Sequence, residues 1–448
     1  MFVIYSLLYS LAFLLMLPLF VFRGEKYAAG FSQRLGKLPA FENDDRSVIW
    51  LHCVSVGETN AARPLVDELL TQFPSHRLVI STTTKTGQAF AQKIFADKAD
   101  AVFYFPFDWK FSVRRALSTF RPSGVLLMET EIWPRFFREA HNSGARVAIV
   151  NGRLSEKSFR RYSFLRAFIG RVLGYVDLAL MQGERDAARI IDLGLALDIV
   201  RVTGNLKFDQ QTNETENPLT EQLRKRFGID GLRTLVIAAS THEPEEKWVL
   251  DAFRKLSETA KDRSPRLMIA PRHPERFDEI AELVDESGFA RVRRSSPVSP
   301  EDKNADVILL DSIGELRAVY PLADIVFVGG SLIPHGGQSI LEPAVAGKAI
   351  ITGPYTHNFS DVVREFRSRN AIVETPIVSN ESANSSKLFA AFKELLTDSE
   401  KRALLGENAL TAVNANRGAT AKTVDEIRHL LEPKAQTNSD QLTAISIQ

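Results

Sequence analysis

The stretch SVIWLHCVSVGET, residues 47–59, carries the pattern that decides the fold. Ser47 to Val54 form an apolar run of strand length, which ends in small residues, then Gly57, then a lone carboxylate, Glu58. A glycine at that point permits a tight turn from a strand into a helix. The pattern therefore predicts a buried strand whose carboxyl end opens into a turn that carries one acid.

The alternation of apolar strand and helix continues outward from this stretch. Further strands are predicted at RLVIST, AVFYF, GVLLM and RVAIV, and after the polar segment DQQTNETENP at TLVIAAS, RLMIAP, DVILL, DIVFVGG and KAIIT. Continuous apolar strands separated by helices are typical of parallel sheets that are covered on both faces. We therefore expect an α/β fold in which two Rossmann-like, doubly wound domains face a cleft.

The 448 residues suit two domains of ordinary size and an N-terminal anchor. The predicted organisation is an anchor at 1–22, a first domain at 23–209, a linker at 210–218, a second domain at 219–433 and a disordered tail at 434–448. The first 22 residues carry no charge, and a stretch of about 20 apolar residues crosses a bilayer. Basic residues follow it (Arg23, Lys26, Arg34 and Lys37), which predicts a cytoplasmic location for the rest of the chain. A shallow helix that lies in the membrane interface is the alternative.

Composition excludes several classes of function. The 56 basic and 55 acidic residues give a net charge of +1, which argues against a general nucleic-acid binder. The single cysteine, Cys53, excludes an intrachain disulfide and a cysteine-rich metal site. Neither HExxH nor CxxC occurs, so the sequence indicates no catalytic metal and no cofactor.

Three acids and a lysine are the candidates for chemistry in the first domain. Ligands of open parallel sheets bind outside the carboxyl ends of the strands, where Glu58 is predicted. A helix N-terminus would hold this carboxylate ionised, and it could act as a general base or could simply satisfy the start of the helix. In METEIWP, the side chains of Glu129 and Glu131 point the same way if the chain is extended. They could be catalytic charges, or they could be a pair of acids at the start of a helix. Lys207 in GNLKFD suits a phosphate or carboxylate, or lies on the surface.

The second domain carries a predicted nucleotide site. Arg272 in APRHPERF ends a strand, and arginine is the usual bidentate partner of phosphate. Gly336 and Gly337 precede a predicted helix that contains Glu342, so that backbone N–H groups can approach an anion and the acid can meet ribose hydroxyls. The histidines His52, His242 and His357 are interpreted as hydrogen-bonded structural or rim residues.

Taken together, these pieces resemble the 3-deoxy-D-manno-oct-2-ulosonic acid (Kdo) transferase family of lipopolysaccharide assembly. The matching motifs are SVGE, METEIWP, NGRLS, GNLKFD, PRHPERF, GEL and FVGGSL…GG…LEP, in the family's order from the hydrophobic segment to about residue 430. The chain departs from the family pattern at Gln338-Ser339, where relatives usually carry His-Asn.

The resemblance implies a GT-B fold and a metal-independent, inverting transfer of Kdo from CMP-Kdo to the lipid A precursor (lipid IVA). It places the protein at the bacterial inner membrane, with the catalytic domains on the cytoplasmic face. It implies that Glu58 is the general base and that Glu129 and Lys207 are supporting charges. The implied CMP-Kdo contacts are Pro271, Arg272, Gly314, Glu315, Leu316, Gly337, Gln338, Ser339, Ile340 and Glu342. The alternatives are another membrane-associated transferase that uses a UDP- or GDP-sugar, and a non-catalytic nucleotide-binding protein.

Overall fold

The computed structural model describes residues 1–22, 29–210, 217–259, 264–376 and 382–432. Most of the predicted linker (211–216), the predicted tail (434–448), Arg23 and Lys26 lie outside the described residues. The described chain divides into two compact units: Met1–Gln210 together with the part that follows Arg417, and the residues between them. Each unit is an α/β domain built on one parallel sheet.

The first domain contains a seven-stranded sheet in the order β3-β2-β1-β4-β5-β6-β7, in which every pair is parallel. Its strands are β1 Val48–Cys53, β2 Arg77–Thr82, β3 Ala101–Tyr104, β4 Pro122–Met128, β5 Arg146–Gly152, β6 Leu178–Met181 and β7 Val200–Val202. Its helices are Phe2–Phe22, Phe31–Arg34, Val56–Ala61, Arg63–Gln72, Lys85–Phe95, Lys110–Phe120, Pro134–Asn142, Glu156–Phe164, Arg166–Leu173, Glu184–Asp192 and Ala419–Leu431. Short 3₁₀ turns lie at Leu197–Ile199 and Leu206–Gln210.

The second domain repeats this plan with a sheet in the order β10-β11-β9-β8-β12-β13-β14, again parallel throughout. Its strands are β8 Leu235–Thr241, β9 Arg266–Pro271, β10 Arg291–Arg293, β11 Val307–Leu309, β12 Ile325–Val328, β13 Ala349–Thr352 and β14 Val373–Glu374. Its helices are Pro218–Phe227, Glu245–Thr259, Phe277–Glu286, Leu316–Val319, Leu341–Val345, Ser360–Ser368, Ser382–Thr397 and Ser399–Asn416. Its 3₁₀ turns are Pro274–Arg276, Pro300–Lys303, Tyr320–Leu322 and His357–Phe359.

Hydrophobic burial on both faces of the first sheet explains why its strands are apolar throughout. In β1, all of Val48–Cys53 is buried. Trp50 packs on one face against Phe103, Phe120 and Phe136, whereas Leu51 packs on the other face with Leu65 and Ile427. Each such side chain contributes roughly 1.5–3 kcal/mol relative to exposure. The predicted two-domain parallel α/β fold is confirmed.

The helix Ala419–Leu431 belongs to the first domain, although the sequence placed the chain up to residue 433 in the second. Asp209 receives hydrogen bonds from the backbone N–H groups of Gly418 and Thr420, at 2.8 and 2.6 Å. Leu431 lies against Gly124 of β4, where any side chain on the glycine would meet it at 2.6 Å. The predicted end of the second domain therefore differs from the observed one because the chain returns at Arg417.

The N-terminal helix Phe2–Phe22 packs along one side of the first domain. Phe2 is buried in the core, and the Tyr5 hydroxyl donates to the buried Asp108 carboxylate at 2.7 Å. Arg135 donates to the Ser6 hydroxyl at 2.9 Å. Across the described ranges, no helix combines the length and the apolar character that a membrane span requires.

The opposite side of this helix is apolar and exposed. Its exposed side chains recur with helical spacing: Val3, Ile4, Leu7, Leu8, Leu11, Leu14 and Leu15. We call these residues the exposed leucine face. Arg34, one of the basic residues that follow the predicted anchor, turns inward and donates to the carbonyl groups of Ala29 and Thr83.

Candidate active site

The strand order of the first sheet reverses beside β1, because β2 lies on one side of it and β4 on the other. Such a topological switch point leaves a crevice at the carboxyl ends of the two central strands, where open α/β sheets bind ligands. Glu58 follows β1 and Glu129 follows β4. The fold therefore brings the acids of SVGE and METEIWP to the same crevice.

Glu58 lies in the first turn of the helix Val56–Ala61 and is only 8% exposed. Its Oε2 accepts a hydrogen bond from the Val54 N–H at 2.8 Å, and the Ser55 hydroxyl donates to Oε1 at 3.3 Å. The helix-start role that the sequence left open is thus present in the structure. Each carboxylate oxygen retains a second lone pair that can accept a proton.

The charge state of Glu58 differs from the expected one. Burial, then the neighbouring Glu129 carboxylate, raise the pKa of Glu58 to about 8, although the Val54 N–H opposes this shift. Glu131 raises it further by a smaller amount. The expectation of an ionised acid held by the helix N-terminus was wrong, because loss of water and two like charges outweigh a helix of less than two turns. Carboxyl groups with raised pKa values are frequent in active sites.

Glu129 adopts a left-handed backbone conformation, with φ of 56°. The chain is therefore not extended here, and the expectation that alternation aligns Glu129 with Glu131 does not apply. Burial, then Glu129, raise the pKa of Glu131 as well, whereas Arg161 lowers it. A strained conformation of this kind persists where the surrounding structure enforces it, which is common at functional sites.

Lys207 lies in the 3₁₀ turn Leu206–Gln210, which contacts the helix of Glu58. Asn151 of NGRLS fixes this turn, because its Oδ1 accepts from the Leu206 N–H at 3.0 Å. The Lys207 N–H donates to Asn205 Oδ1 at the same distance. Three separate motifs of the sequence, SVGE, NGRLS and GNLKFD, thus meet at the turn Leu206–Gln210 of the first domain.

The second sheet has its own switch point, between β8 and β12. The buried Glu245 carboxylate joins the ends of these strands by accepting four backbone N–H groups. They come from His242 (3.0 Å), Gly330 (2.6 Å), Ser331 (3.0 Å) and Leu332 (2.9 Å). Burial raises the pKa of Glu245 to about 7, and the backbone donors oppose this. Glu245 was not among the predicted site residues, because its one signal in the sequence is an acid at a helix start.

The residues predicted to contact CMP-Kdo follow several strands of this sheet. Pro271 ends β9 and is buried, and the exposed Arg272 donates its N–H to the Thr241 carbonyl at 3.0 Å. Gly314 has φ of 87° and open space around its Cα, and Leu316 begins a helix. The Glu315 carboxylate accepts hydrogen bonds from Nε and Nη2 of Arg294, at 2.8 and 2.9 Å. Because its side chain is occupied in this way, Glu315 can offer a ligand only its backbone groups.

The glycine-rich segment follows β12. Gly337 has φ of 76°, and its N–H donates to the Gly330 carbonyl at 2.8 Å, so the two glycine pairs are joined directly. Gln338 is half-buried, Ile340 is buried, and the Ser339 hydroxyl accepts from the Leu341 N–H at 3.4 Å. The predicted helix that follows is short, Leu341–Val345, so its dipole contributes little.

Glu342 lies in this short helix and faces Arg317, whose Nε is 3.4 Å from Oε1. Its side chain remains 29% exposed, which leaves the carboxylate accessible to a hydroxyl group. Among the described residues, no group of three His, Cys, Asp or Glu side chains is arranged to hold a metal ion.

Comparison with known proteins identifies the family to which the chain belongs. Residues 29–210 match the family model described as 3-deoxy-D-manno-octulosonic-acid transferase (kdotransferase). A 3-deoxy-D-manno-octulosonic acid transferase of Haemophilus influenzae is 36% identical over 393 residues, which cover 86% of this chain and 87% of the relative. One of Bordetella pertussis is 33% identical over 390 residues, with 86% and 87% coverage.

Solved structures agree with the fold. The UDP-GlcNAc 2-epimerase of Neisseria meningitidis, bound to UDP-GlcNAc, superposes with a TM-score of 0.57 at 14% identity and covers 86% of this chain and all of the epimerase chain. At that identity the likeness concerns the fold alone, two parallel-sheet α/β domains. The sequence relatives decide the activity: this enzyme is a glycosyltransferase, and the chain belongs to the 3-deoxy-D-manno-octulosonic acid transferase family.

Proposed function

We propose that this enzyme transfers Kdo from CMP-Kdo to a lipid A precursor, lipid IVA, with inversion at the anomeric carbon and without a metal ion. In this proposal the two domains form a GT-B enzyme, in which the first domain activates the acceptor and the second holds the donor. The observation that supports it most is the placement of Glu58 beside Glu129 at the switch point of the first sheet.

Glu58 serves as the general base in the proposed mechanism. An acceptor hydroxyl is a weak nucleophile until a base takes its proton, and a base works best when its pKa lies near the working pH. Burial and Glu129 raise the pKa of Glu58 to about 8, which meets that condition. The hydroxyl oxygen then attacks the anomeric carbon from the face opposite to CMP, which inverts the configuration as CMP leaves.

Positive and dipolar groups stabilise the departing phosphate in this proposal. Arg272 is exposed at the end of β9, and Lys207 lies in the turn that contacts the helix of Glu58. Hydrogen-bond donors and cations that are already in place where charge develops lower the barrier without reorganisation. These side chains supply the charge stabilisation for which other transferases use a metal ion.

A lipid product assay tests the proposed function. The purified protein is incubated with CMP-Kdo and lipid IVA, and the lipid is analysed by mass spectrometry, with the Glu58→Gln variant as control. We expect the acceptor mass to increase by whole Kdo units with the wild-type protein. A product that forms only with a UDP- or GDP-sugar would assign the enzyme to the alternative donor class, and ligand binding without any product would favour the non-catalytic alternative.

The exposed leucine face suits an enzyme whose acceptor is a membrane lipid. We propose that the N-terminal helix lies in the inner-membrane interface and that both domains are on the cytoplasmic side. A helix with an exposed apolar face can bury that face at the boundary between headgroups and acyl chains. The polar contacts of Tyr5 and Ser6 with the first domain hold the opposite side of the helix in place.

Substitution of this face is expected to weaken membrane binding without unfolding the protein. The triple variant Leu7→Ser, Leu11→Ser, Leu14→Ser should lower co-sedimentation with phosphatidylglycerol–phosphatidylethanolamine vesicles at least about tenfold, because each buried leucine contributes roughly 1.5–3 kcal/mol. Leu404→Ser, at a leucine that is 56% exposed in the second domain, is the matched control. Vesicle binding of the triple variant at the level of the control would refute the proposed interface.

A further inference from the structure

Three imidazole rings meet at the switch point of the second sheet. His242 follows β8, His273 follows β9 and His335 follows β12, which are neighbouring strands in the order β9-β8-β12. The ring centroid of His242 lies 5.3 Å from that of His273 and 4.2 Å from that of His335. His242 is 6% exposed and lies at the centre of this group, whereas the other two rings are on exposed residues.

Hydrogen bonding decides the tautomer of His242. Its Nδ1 lies 3.1 Å from the carbonyl oxygen of Ser240, which can only accept, so Nδ1 carries the hydrogen. In the neutral ring, Nε2 then has a free lone pair and acts as an acceptor. This Nε2 atom is buried and has no hydrogen-bond partner among the residues that the structure describes. A buried polar atom without a partner destabilises the protein, and a ligand that supplies the missing partner recovers that cost.

The surroundings keep the ring neutral. Burial, then His335, His273 and Arg272, lower the pKa of His242 to about 4, although the Ser240 carbonyl opposes this. Two acids of the adjoining segments have partners of their own: Glu245 accepts four backbone N–H groups, and the Glu275 carboxylate lies 3.4 Å from Nδ1 of His273. An unprotonated nitrogen repels the oxygens of phosphate and carboxylate groups, which also only accept. The group that fits Nε2 is therefore a donor, such as a sugar hydroxyl.

The strand is distorted so as to hold this ring. Ser240 has φ of 53°, a left-handed conformation that non-glycine residues rarely adopt, and the pairing of β8 with β9 shifts register between Ala239 and Thr241. A bulge of this kind re-aims the side chains that follow it. The strain turns the Ser240 carbonyl towards Nδ1 and thereby fixes the direction of Nε2.

We infer that Nε2 of His242 accepts a hydrogen bond from a hydroxyl group of the donor's sugar, so that His242 is a specificity-determining contact for the sugar rather than for the nucleotide. This inference rests on the proposed function. The ribose hydroxyls have a separate partner in that proposal, the accessible Glu342 carboxylate. CMP alone lacks the hydroxyl groups of Kdo, so the two ligands distinguish the sugar from the nucleotide.

Steady-state kinetics of His242→Phe test the inference. Phenylalanine keeps the ring and removes both nitrogens. We expect the KM for CMP-Kdo to rise about tenfold, the value of one hydrogen bond, and the inhibition constant of CMP to stay within about threefold. His242→Gln, whose side-chain carbonyl reaches the Nε2 position, should recover part of the loss. His429→Phe, at a ring that is 70% exposed in the first domain, is the control for the substitution itself.

Thermal denaturation accompanies the kinetics, and His242→Leu carries the same comparison if the phenylalanine variant does not fold. An unchanged KM for CMP-Kdo would overturn the inference. A CMP inhibition constant that rises in step with the KM would also overturn it, because His242 would then bind the nucleotide. If the wild-type protein neither binds nor uses CMP-Kdo, the proposed function fails and the inference falls with it. If the wild-type protein uses CMP-Kdo and His242→Phe has the same kinetics, the inference is refuted while the proposed function stands.

Discussion

Replacing Glu58 with glutamine is expected to lower kcat for Kdo transfer at least about a hundredfold while the protein stays folded. Glutamine preserves the size of the side chain and can still accept the Val54 N–H, but it cannot take a proton. Initial rates of lipid product formation measure the loss. Turnover close to that of the wild type would leave Glu58 with the helix-start role alone.

Stability provides a second measurement on the same variant. Folding raises the pKa of Glu58 from the ordinary 4.5 to about 8, so the folded state binds this proton more tightly than the unfolded state. The resulting stabilisation is fully present below the ordinary pKa and is lost as the pH rises through about 8. Glu58→Gln should therefore have a higher Tm than the wild type at alkaline pH and a similar Tm near pH 4. A Tm that falls at every pH would mean that the carboxylate itself holds the loop together.

The pH dependence of the rate tests whether Glu129 is the neighbour that raises the pKa of Glu58. If Glu58 is the base, kcat/KM rises as the pH passes through about 8, because only the ionised form accepts a proton. Glu129→Gln removes a like charge, lowers the pKa of Glu58 and moves the midpoint to lower pH, even where the maximum rate is reduced. A midpoint that does not move would show that Glu129 does not raise the pKa of Glu58.

Glu245→Ala is expected to cause the largest loss of stability of the substitutions considered. It leaves the N–H groups of His242, Gly330, Ser331 and Leu332 buried without their acceptor. Loss of several buried, charge-assisted hydrogen bonds lowers the free energy of unfolding by about 3–5 kcal/mol. Urea denaturation at neutral pH measures it. Glu243→Gln, at an exposed acid in the same segment, should stay within about 0.5 kcal/mol of the wild type.

The variant Glu245→Gln tests whether the negative charge of the carboxylate is needed, because glutamine keeps the size of the side chain and removes the charge. Its side-chain oxygen can accept one pair of N–H groups, but its amide N–H groups oppose the other pair, so Glu245→Gln should lose stability and also affinity for CMP. Stability and CMP affinity equal to those of the wild type would show that the carboxylate does not hold the ends of β8 and β12.

Local patterns predicted the parts of the site that follow directly from one strand. The apolar run before Gly57 was sufficient to place Glu58 at the end of β1, because a continuous hydrophobic strand requires burial on both faces. The order of strands was not readable in this way. Only the sheet topology shows that β4 is the neighbour of β1, and hence that Glu129 raises the pKa of Glu58.

Long-range contacts account for what the sequence did not reveal. Glu245 accepts from Gly330, which is 85 residues away, and no short motif encodes that pairing. The left-handed conformation of Glu129 follows from tertiary packing, since a non-glycine residue has no intrinsic preference for it. His242 was interpreted as a hydrogen-bonded structural or rim residue. Its Nδ1 hydrogen bond agrees with that interpretation, and only the unpartnered Nε2 suggests more.

The helix Ala419–Leu431 makes the second domain an insertion within the first, which has a consequence for biosynthesis. A ribosome releases the chain from its N-terminus, so the face of the first sheet beside Gly124 stays uncovered until the helix Ala419–Leu431 emerges. The inserted domain has by then been synthesised in full and can complete its own folding. We therefore expect the inserted domain to mature before the enclosing one, and a nascent chain that stops before Ala419 to leave exposed the apolar side chains that this helix covers.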